Sequence, residues 1–221
     1  MQSVLIVDDR QEEASLETQP MPQPSIVSRV VQRLIIGLYR WKGWRIEGGH
    51  PGVPKFIVTG APHTSNWDFV FFLGVAHEIG IAPSFMGKHT LFKWPLTRFM
   101  RDMGGISVDR SKRGSNYVEQ IAQAFAAADE LALVVAPEGS RTGDGTWRTG
   151  VWHIARAAGV PIVPAWVNHE TMLGGIGPPI WPSDDLAADL AKFAAFYRSK
   201  RPDSPRFEKL AEQAEGMARN G

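Results

Sequence analysis

Cysteine is absent from the chain. Disulfides, thiolate metal sites and a cysteine nucleophile are therefore excluded, and the absence fits a reducing compartment. An excess of one charge is also missing: the formal net charge is +1, so no global field draws the protein to nucleic acid. Long apolar runs are lacking too. A membrane-spanning helix needs about 20 apolar residues, and the nearest approach, from Phe69 to Phe85, is broken by His77 and Glu78. The first residues do not present a basic region, an apolar segment and a small-residue cleavage site in that order, so no signal peptide is expected.

The chain does have 221 residues, with 43% apolar and 21% charged, enough for one domain with a real core. Charge is unevenly spread. Asp8, Asp9, Glu12, Glu13 and Glu17 stand against Arg10 at the start. Lys88, Lys93, Arg98, Arg101, Arg110, Lys112 and Arg113 outnumber Asp102 and Asp109 further on. That second stretch suits an anionic ligand, an anionic membrane or an acidic partner, although a solvated face explains any one of its cations equally well.

SVLIVDD at 3–9 resembles the first strand of a receiver domain, but the βα units that would have to follow are absent. Gln11 to Pro24 is polar and proline-rich, the composition of a linker or disordered segment. The expected organisation is a disordered extension over 1–24 and one domain over 25–221 that opens with an amphipathic helix. In that helix Ser25 is a candidate cap, and Ile26, Val27, Val30, Val31, Leu34, Ile35 and Leu38 recur at helical spacing among Arg29, Gln32, Arg33 and Arg40. Trp41 and Trp44 follow, beside Lys42 and Arg45. The stripe fits core packing and a membrane interface equally well.

From Lys55 strands and helices alternate. Strands are expected at KFIVTG, SFMG, GGISV, LALVVA and VPIVPAWV. Helices are expected over Asn66–Ile79, Trp94–Met103, Asn116–Ala128, Thr149–Ala158, Asp184–Tyr197 and Pro205–Met217. This order predicts a single α/β domain with a mixed, mostly parallel sheet flanked by helices.

Chemistry-bearing residues fall just after the predicted strands, where α/β sheets usually bind ligands. APHTSNWDFV, starting at Ala61, puts His63 before a helix and Asp68 in its first turn. Asp68 can simply cap the helix. It can also accept a hydrogen bond from one imidazole nitrogen and leave the other free to take a proton. No G-x-S-x-G elbow surrounds Ser65, so the nucleophile would be a hydroxyl on the substrate. Arg110 follows GGISV and can grip a phosphate. Glu138, Gly139, Ser140 and Arg141 follow LALVVA, where Glu138 can hold a hydroxyl or orient Arg110 or Arg141. Each of these charges, taken singly, also reads as a structural ion pair.

In order, HTSNWD, GGISVDR, APEGSR and VPIVPAWV resemble the motifs of the glycerolipid acyltransferase family, whose members include the 1-acylglycerol-3-phosphate acyltransferases. GIGPPIWPS at 175–183 is similar to the family's Gly-Pro-Pro-Ile turn, so the resemblance covers about residues 55–183. Ala136 stands where the family has Phe, and Ser140 where it has Thr. The resemblance implies a glycerol-3-phosphate acyltransferase-like fold and a catalytic pair, His63 and Asp68. It places Arg110, Glu138, Gly139, Ser140 and Arg141 at the acceptor, with Lys88 as a further phosphate contact. It also implies transfer of a fatty acyl group from acyl-CoA or acyl carrier protein to a lysophospholipid, foremost 1-acylglycerol-3-phosphate, without a metal or resident cofactor. Amides at the start of the helix after His63 would stabilise the oxyanion. The expected location is cytoplasmic, on the inner face of the membrane. The rivals are another acceptor (an aminolipid, a glycolipid or another lysolipid), a hydrolase, and a non-catalytic module that binds lipid or carrier.

Overall fold

The five apolar runs become five adjacent strands of a seven-stranded sheet, and two neighbours among them, KFIVTG and LALVVA, are covered on both faces. In the computed structural model the described residues are 3–6, 17–20, 24–88, 97–108 and 117–220, with side chains described for 24–85, 97–105 and 117–220. The sheet strands are β3 (Arg45–Glu47), β4 (Lys55–Gly60), β5 (Pro83–Lys88), β6 (Gly105–Val108), β7 (Leu131–Val135), β8 (Ile162–Asn168) and β9 (Leu173–Ile176). Their order is β3-β9-β8-β4-β7-β5-β6. Every neighbouring pair is parallel except β8 and β9. The fold is thus the expected α/β domain with a mixed, mostly parallel sheet. At the N-terminus β1 (Ser3–Ile6) pairs antiparallel with β2 (Glu17–Pro20), and the rest of 1–23 lies outside the described residues.

Side chains along β4 alternate between two cores. Ile57 joins Leu133 and Ile162 in the larger cluster under α4 (Tyr117–Ala127), α5 (Gly150–Ala158), α6 (Leu186–Lys200) and α7 (Pro205–Asn220). Phe56 and Val58 join Val163 and Ile176 on the other face, the side of α1 (Ile26–Lys42) and α2 (Trp67–Glu78). Tyr197 of α6 is fully buried and donates to the carbonyl of Thr59 at 2.6 Å, and its ring stacks on Phe207 of α7 at 4.9 Å. The last two helices are therefore bolted to the central strand.

Two strands of the seven-stranded sheet, β3 and β9, were not expected. In β9, LGGI, the glycines permit close approach. A Cβ on Gly174 would meet the Phe71 ring at 2.3 Å, and one on Gly175 the carbonyl of Glu47 at 2.1 Å. The helix expected over Trp94–Met103 is α3 (Thr97–Asp102) among the described residues.

α1 is capped as its sequence predicts: the Ser25 hydroxyl accepts from the Ser28 amide at 3.0 Å, and Gly43 ends the helix at φ 74°. Its buried face carries Ser28, Ile36 and Tyr39, and Asp102 of α3 accepts from both the Ser25 amide and the Ser28 hydroxyl. The opposite face leaves Ile26, Val27, Val30, Leu34 and Trp41 exposed, Leu34 by 67% and Trp41 by 77%. No helix among the described residues is long and apolar enough to cross a membrane.

Candidate active site

Because β4, β7 and β8 are adjacent and parallel, their carboxyl ends open on one edge. The segments leaving them carry His63, then Glu138 and Arg141, then His169. After β4 the Ala61 amide still pairs with the Ala165 carbonyl at 3.0 Å. The Ala61–Pro62 peptide bond is cis, and His63 follows.

Asp68, in the first turn of α2, gathers the loop. Its Oδ2 accepts from the amides of Thr64 and Ser65, both at 2.9 Å, and lies 3.0 Å from Nδ1 of His63. Its Oδ1 lies 2.7 Å from Nε2 of His169. Burial alone would raise the Asp68 carboxyl. The hydrogen bonds from His169, His63 and the Ser65 amide outweigh it and hold the group well below the usual carboxylate range. An ionised carboxylate can only accept, so each imidazole must present N–H to it.

The two rings differ in what their second nitrogens meet. His63 is 33% exposed, and its Nε2 accepts from Nε of Arg141 at 3.3 Å. The lone pair therefore faces the Arg141 guanidinium. The second nitrogen of His169, Nδ1, is buried and has no hydrogen-bond partner among the described residues. A proton there would be an unsatisfied buried donor, which costs about 1–3 kcal/mol, whereas the N–H on Nε2 is matched by Asp68. Of the two imidazoles, His63 is the one with an accessible second nitrogen.

Glu138 is nearly buried and forms an ion pair with Arg206, at the start of α7. Burial pushes its carboxyl up, and Arg206 and the His63 amide only partly offset this. Arg206 also donates to the Arg141 carbonyl at 2.8 Å. The loop after β7 is clamped on α7 by Trp147, whose amide and carbonyl both pair with the Gln213 side chain. Gly145, at φ 105°, lets the chain pass Arg206, since a Cβ would lie 2.6 Å from the Arg206 Cα. Gly139 takes φ 72°, and a Cβ there would sit 2.7 Å from Nε of Arg148. Both positions need glycine for conformation and for space.

Of the expected site residues, His63, Asp68, Glu138, Gly139, Ser140 and Arg141 come together on this edge. Arg110 and the side chain of Lys88 lie outside the described residues. Two expectations need correction. Glu138 is held by Arg206 rather than orienting Arg141, because the first turn of α7 reaches the carboxylate first. Arg141 itself turns to His63 and to Asn66, whose Oδ1 accepts from it at 2.6 Å. The helix start does not offer a set of free amides either. Those of Thr64 and Ser65 go to Asp68, that of Trp67 to the Ser65 hydroxyl, and those of Asp68 and Phe69 to the carbonyls of Ser65 and Asn66.

Sequence reasoning missed His169 and Arg206. The signal for His169 was its place, one residue beyond an apolar strand on the ligand-binding edge. For Arg206 there was none. Among the described residues no group of three or more His, Asp or Glu side chains is arranged to hold a metal ion. Comparison with curated proteins returns no match. A family model described as acyltransferase matches residues 53–168, more than half the chain and all of the segments that carry His63, Asp68, Glu138 and Arg141. The chain belongs to the acyltransferase family of glycerolipid enzymes.

Proposed function

We propose that the enzyme transfers a fatty acyl group from an acyl thioester, of coenzyme A or acyl carrier protein, to the hydroxyl of a lysophospholipid. The preferred acceptor is 1-acylglycerol-3-phosphate, which would become phosphatidic acid. One observation carries the reading: Asp68 fixes Nδ1–H of His63 and leaves Nε2 unprotonated, an acceptor whose hydrogen bond from Arg141 the substrate hydroxyl would replace. His63 Nε2 takes the proton of the acceptor hydroxyl as its oxygen attacks the thioester carbonyl. The tetrahedral intermediate collapses, the C–S bond breaks, and the thiolate leaves with the proton that His63 held. The acyl group passes directly between substrates, so no protein nucleophile is needed.

Arg141 is the cation next to the proton-accepting nitrogen. It can meet the acceptor's phosphate or the developing oxyanion, taking the part expected of the amides that the loop uses itself. The expected result is that 1-acylglycerol-3-phosphate is acylated with a kcat/KM at least roughly tenfold above that of the phosphate-free monoacylglycerol, since a charge-assisted hydrogen bond is worth about 1.5–3 kcal/mol. Initial rates on the two acceptors with one donor check this. Equal rates would remove the phosphate from the reading, and release of free fatty acid without acceptor would favour a hydrolase.

The acceptor lies in a bilayer, and the outer face of α1 suits that surface. Its exposed apolar residues run between Arg29, Arg33 and Arg40 on one margin and Lys42 on the other. Lys42 lies 4.7 Å over the ring of Trp67, which is half-exposed on the His63–Asp68 loop. An apolar stripe with cationic margins lies in the interface of an anionic membrane. Leu34→Glu should lower co-sedimentation with vesicles containing anionic lipid by roughly tenfold or more, the equivalent of about 1.5–3 kcal/mol for one buried leucine. The melting temperature should stay the same, because Leu34 is exposed. Unchanged vesicle binding would exclude this face.

A further inference from the structure

We infer that His169 is a positioning residue of the transfer reaction: it locks the Asp68 carboxylate so that His63 is held in the tautomer and orientation the base requires. The inference rests on the reading of His63 as the base. His169 lies just past the segment matched by the family model, which ends at residue 168.

The hydrogen bonds to Asp68 are lopsided. Oδ2 takes two backbone amides and His63 Nδ1, whereas His169 is the partner found on Oδ1. The Asp68 side chain is only 13% exposed, so water compensates poorly for a lost donor. Without His169 the carboxylate keeps only the Thr64 and Ser65 amides besides His63, all on Oδ2. Oδ1 then loses its anchor, and the carboxylate plane is set less firmly against Nδ1 of His63.

The surroundings of His169 fit this task. The residue follows the last position of β8, a strand buried against the central strand. Asn168, just before it, accepts the amides of Glu170 and Thr171 at 2.9 and 3.2 Å and so sets the turn. The imidazole meets Trp44 edge to face, with centroids 5.9 Å apart. Trp44 in turn stacks on Tyr39 of α1 and tilts against Trp67. The ring is thus held by aromatic packing while one N–H points at Oδ1. Its buried Nδ1 has no partner among the described residues, and its other nitrogen is taken by Asp68, so His169 acts through Asp68.

The test follows from which nitrogen donates. Glutamine puts its amide near the Nε2 position of histidine, asparagine near Nδ1, and phenylalanine keeps a ring without a donor. His169→Phe and His169→Asn should lower kcat roughly ten- to hundredfold with KM little changed, the size expected for one hydrogen bond to a charged group. His169→Gln should restore most of kcat. In parallel, the His63 imidazole is observed by ¹⁵N NMR in the full chain, a readout independent of acyl transfer. The wild type and His169→Gln should show the Nδ1–H tautomer, and His169→Phe and His169→Asn a mixture of both. If His63 keeps its tautomer in His169→Phe, the inference is overturned, whatever the activity. It is also overturned if His169→Gln behaves as His169→Phe. Intact tautomer control in a protein that acylates nothing would instead refute the proposed function and leave the positioning role standing.

Discussion

His63→Ala lowers kcat for acyl transfer by about 10²–10⁴-fold, the usual contribution of a positioned general base, while the fold and the KM for the thioester stay close to wild type. The loss falls on kcat because the imidazole handles the proton in the transition state and adds little to ground-state binding. Stability is spared because His63 sits on a loop and is a third exposed. Its main protein contact, Asp68, keeps the Thr64 and Ser65 amides and His169 as partners. Initial rates together with thermal melting check both halves of the expectation.

Arg206→Ala has the largest effect on stability. It leaves Glu138, whose side chain is 1% exposed, as a buried carboxylate without its counter-ion. Breaking a buried pair from one side costs about 3–5 kcal/mol, which in a protein of this size lowers the melting temperature by on the order of 10 °C. The pH dependence identifies the cause. The folded-state pKa of Glu138 is already raised by burial against the pull of Arg206, and removing Arg206 raises it further. A carboxyl with a raised folded-state pKa favours the fold below its unfolded value, near 4.3, and that advantage is lost as pH rises through the folded value. The Arg206→Ala deficit therefore narrows on acidification, and Glu138→Gln in the same background relieves part of it at neutral pH. Melting curves of both variants across pH test this. A deficit independent of pH would mean that Arg206 acts through its bond to the Arg141 carbonyl instead.

The alternation of strands and helices was legible from Lys55 onward because each buried strand is an apolar run ending at a polar turn. β9 was not, because its two glycines serve close contacts with Phe71 and Glu47 and leave no side-chain pattern to read. β3, of three residues, is too short to show a period. The stripe on α1 could not be assigned to core or surface from spacing alone. Its buried face carries a serine and a tyrosine, and its exposed face carries aliphatic residues, the reverse of what hydropathy favours. Within the site, His63 and Asp68 are five positions apart and share one loop and turn, so local geometry already joined them. His169 meets Asp68 across 101 positions, and Arg206 meets Glu138 across 68. Such pairs are set by sheet order and by the docking of α7, which the sequence encodes only through the whole fold.

The most direct test of the account follows a label from a long-chain acyl thioester in the presence of 1-acylglycerol-3-phosphate, with the wild type and with His63→Ala. The wild type should move the label onto the acceptor hydroxyl in an ester, and folded His63→Ala should do so at a rate reduced at least about a hundredfold. Transfer at the wild-type rate by His63→Ala would contradict it.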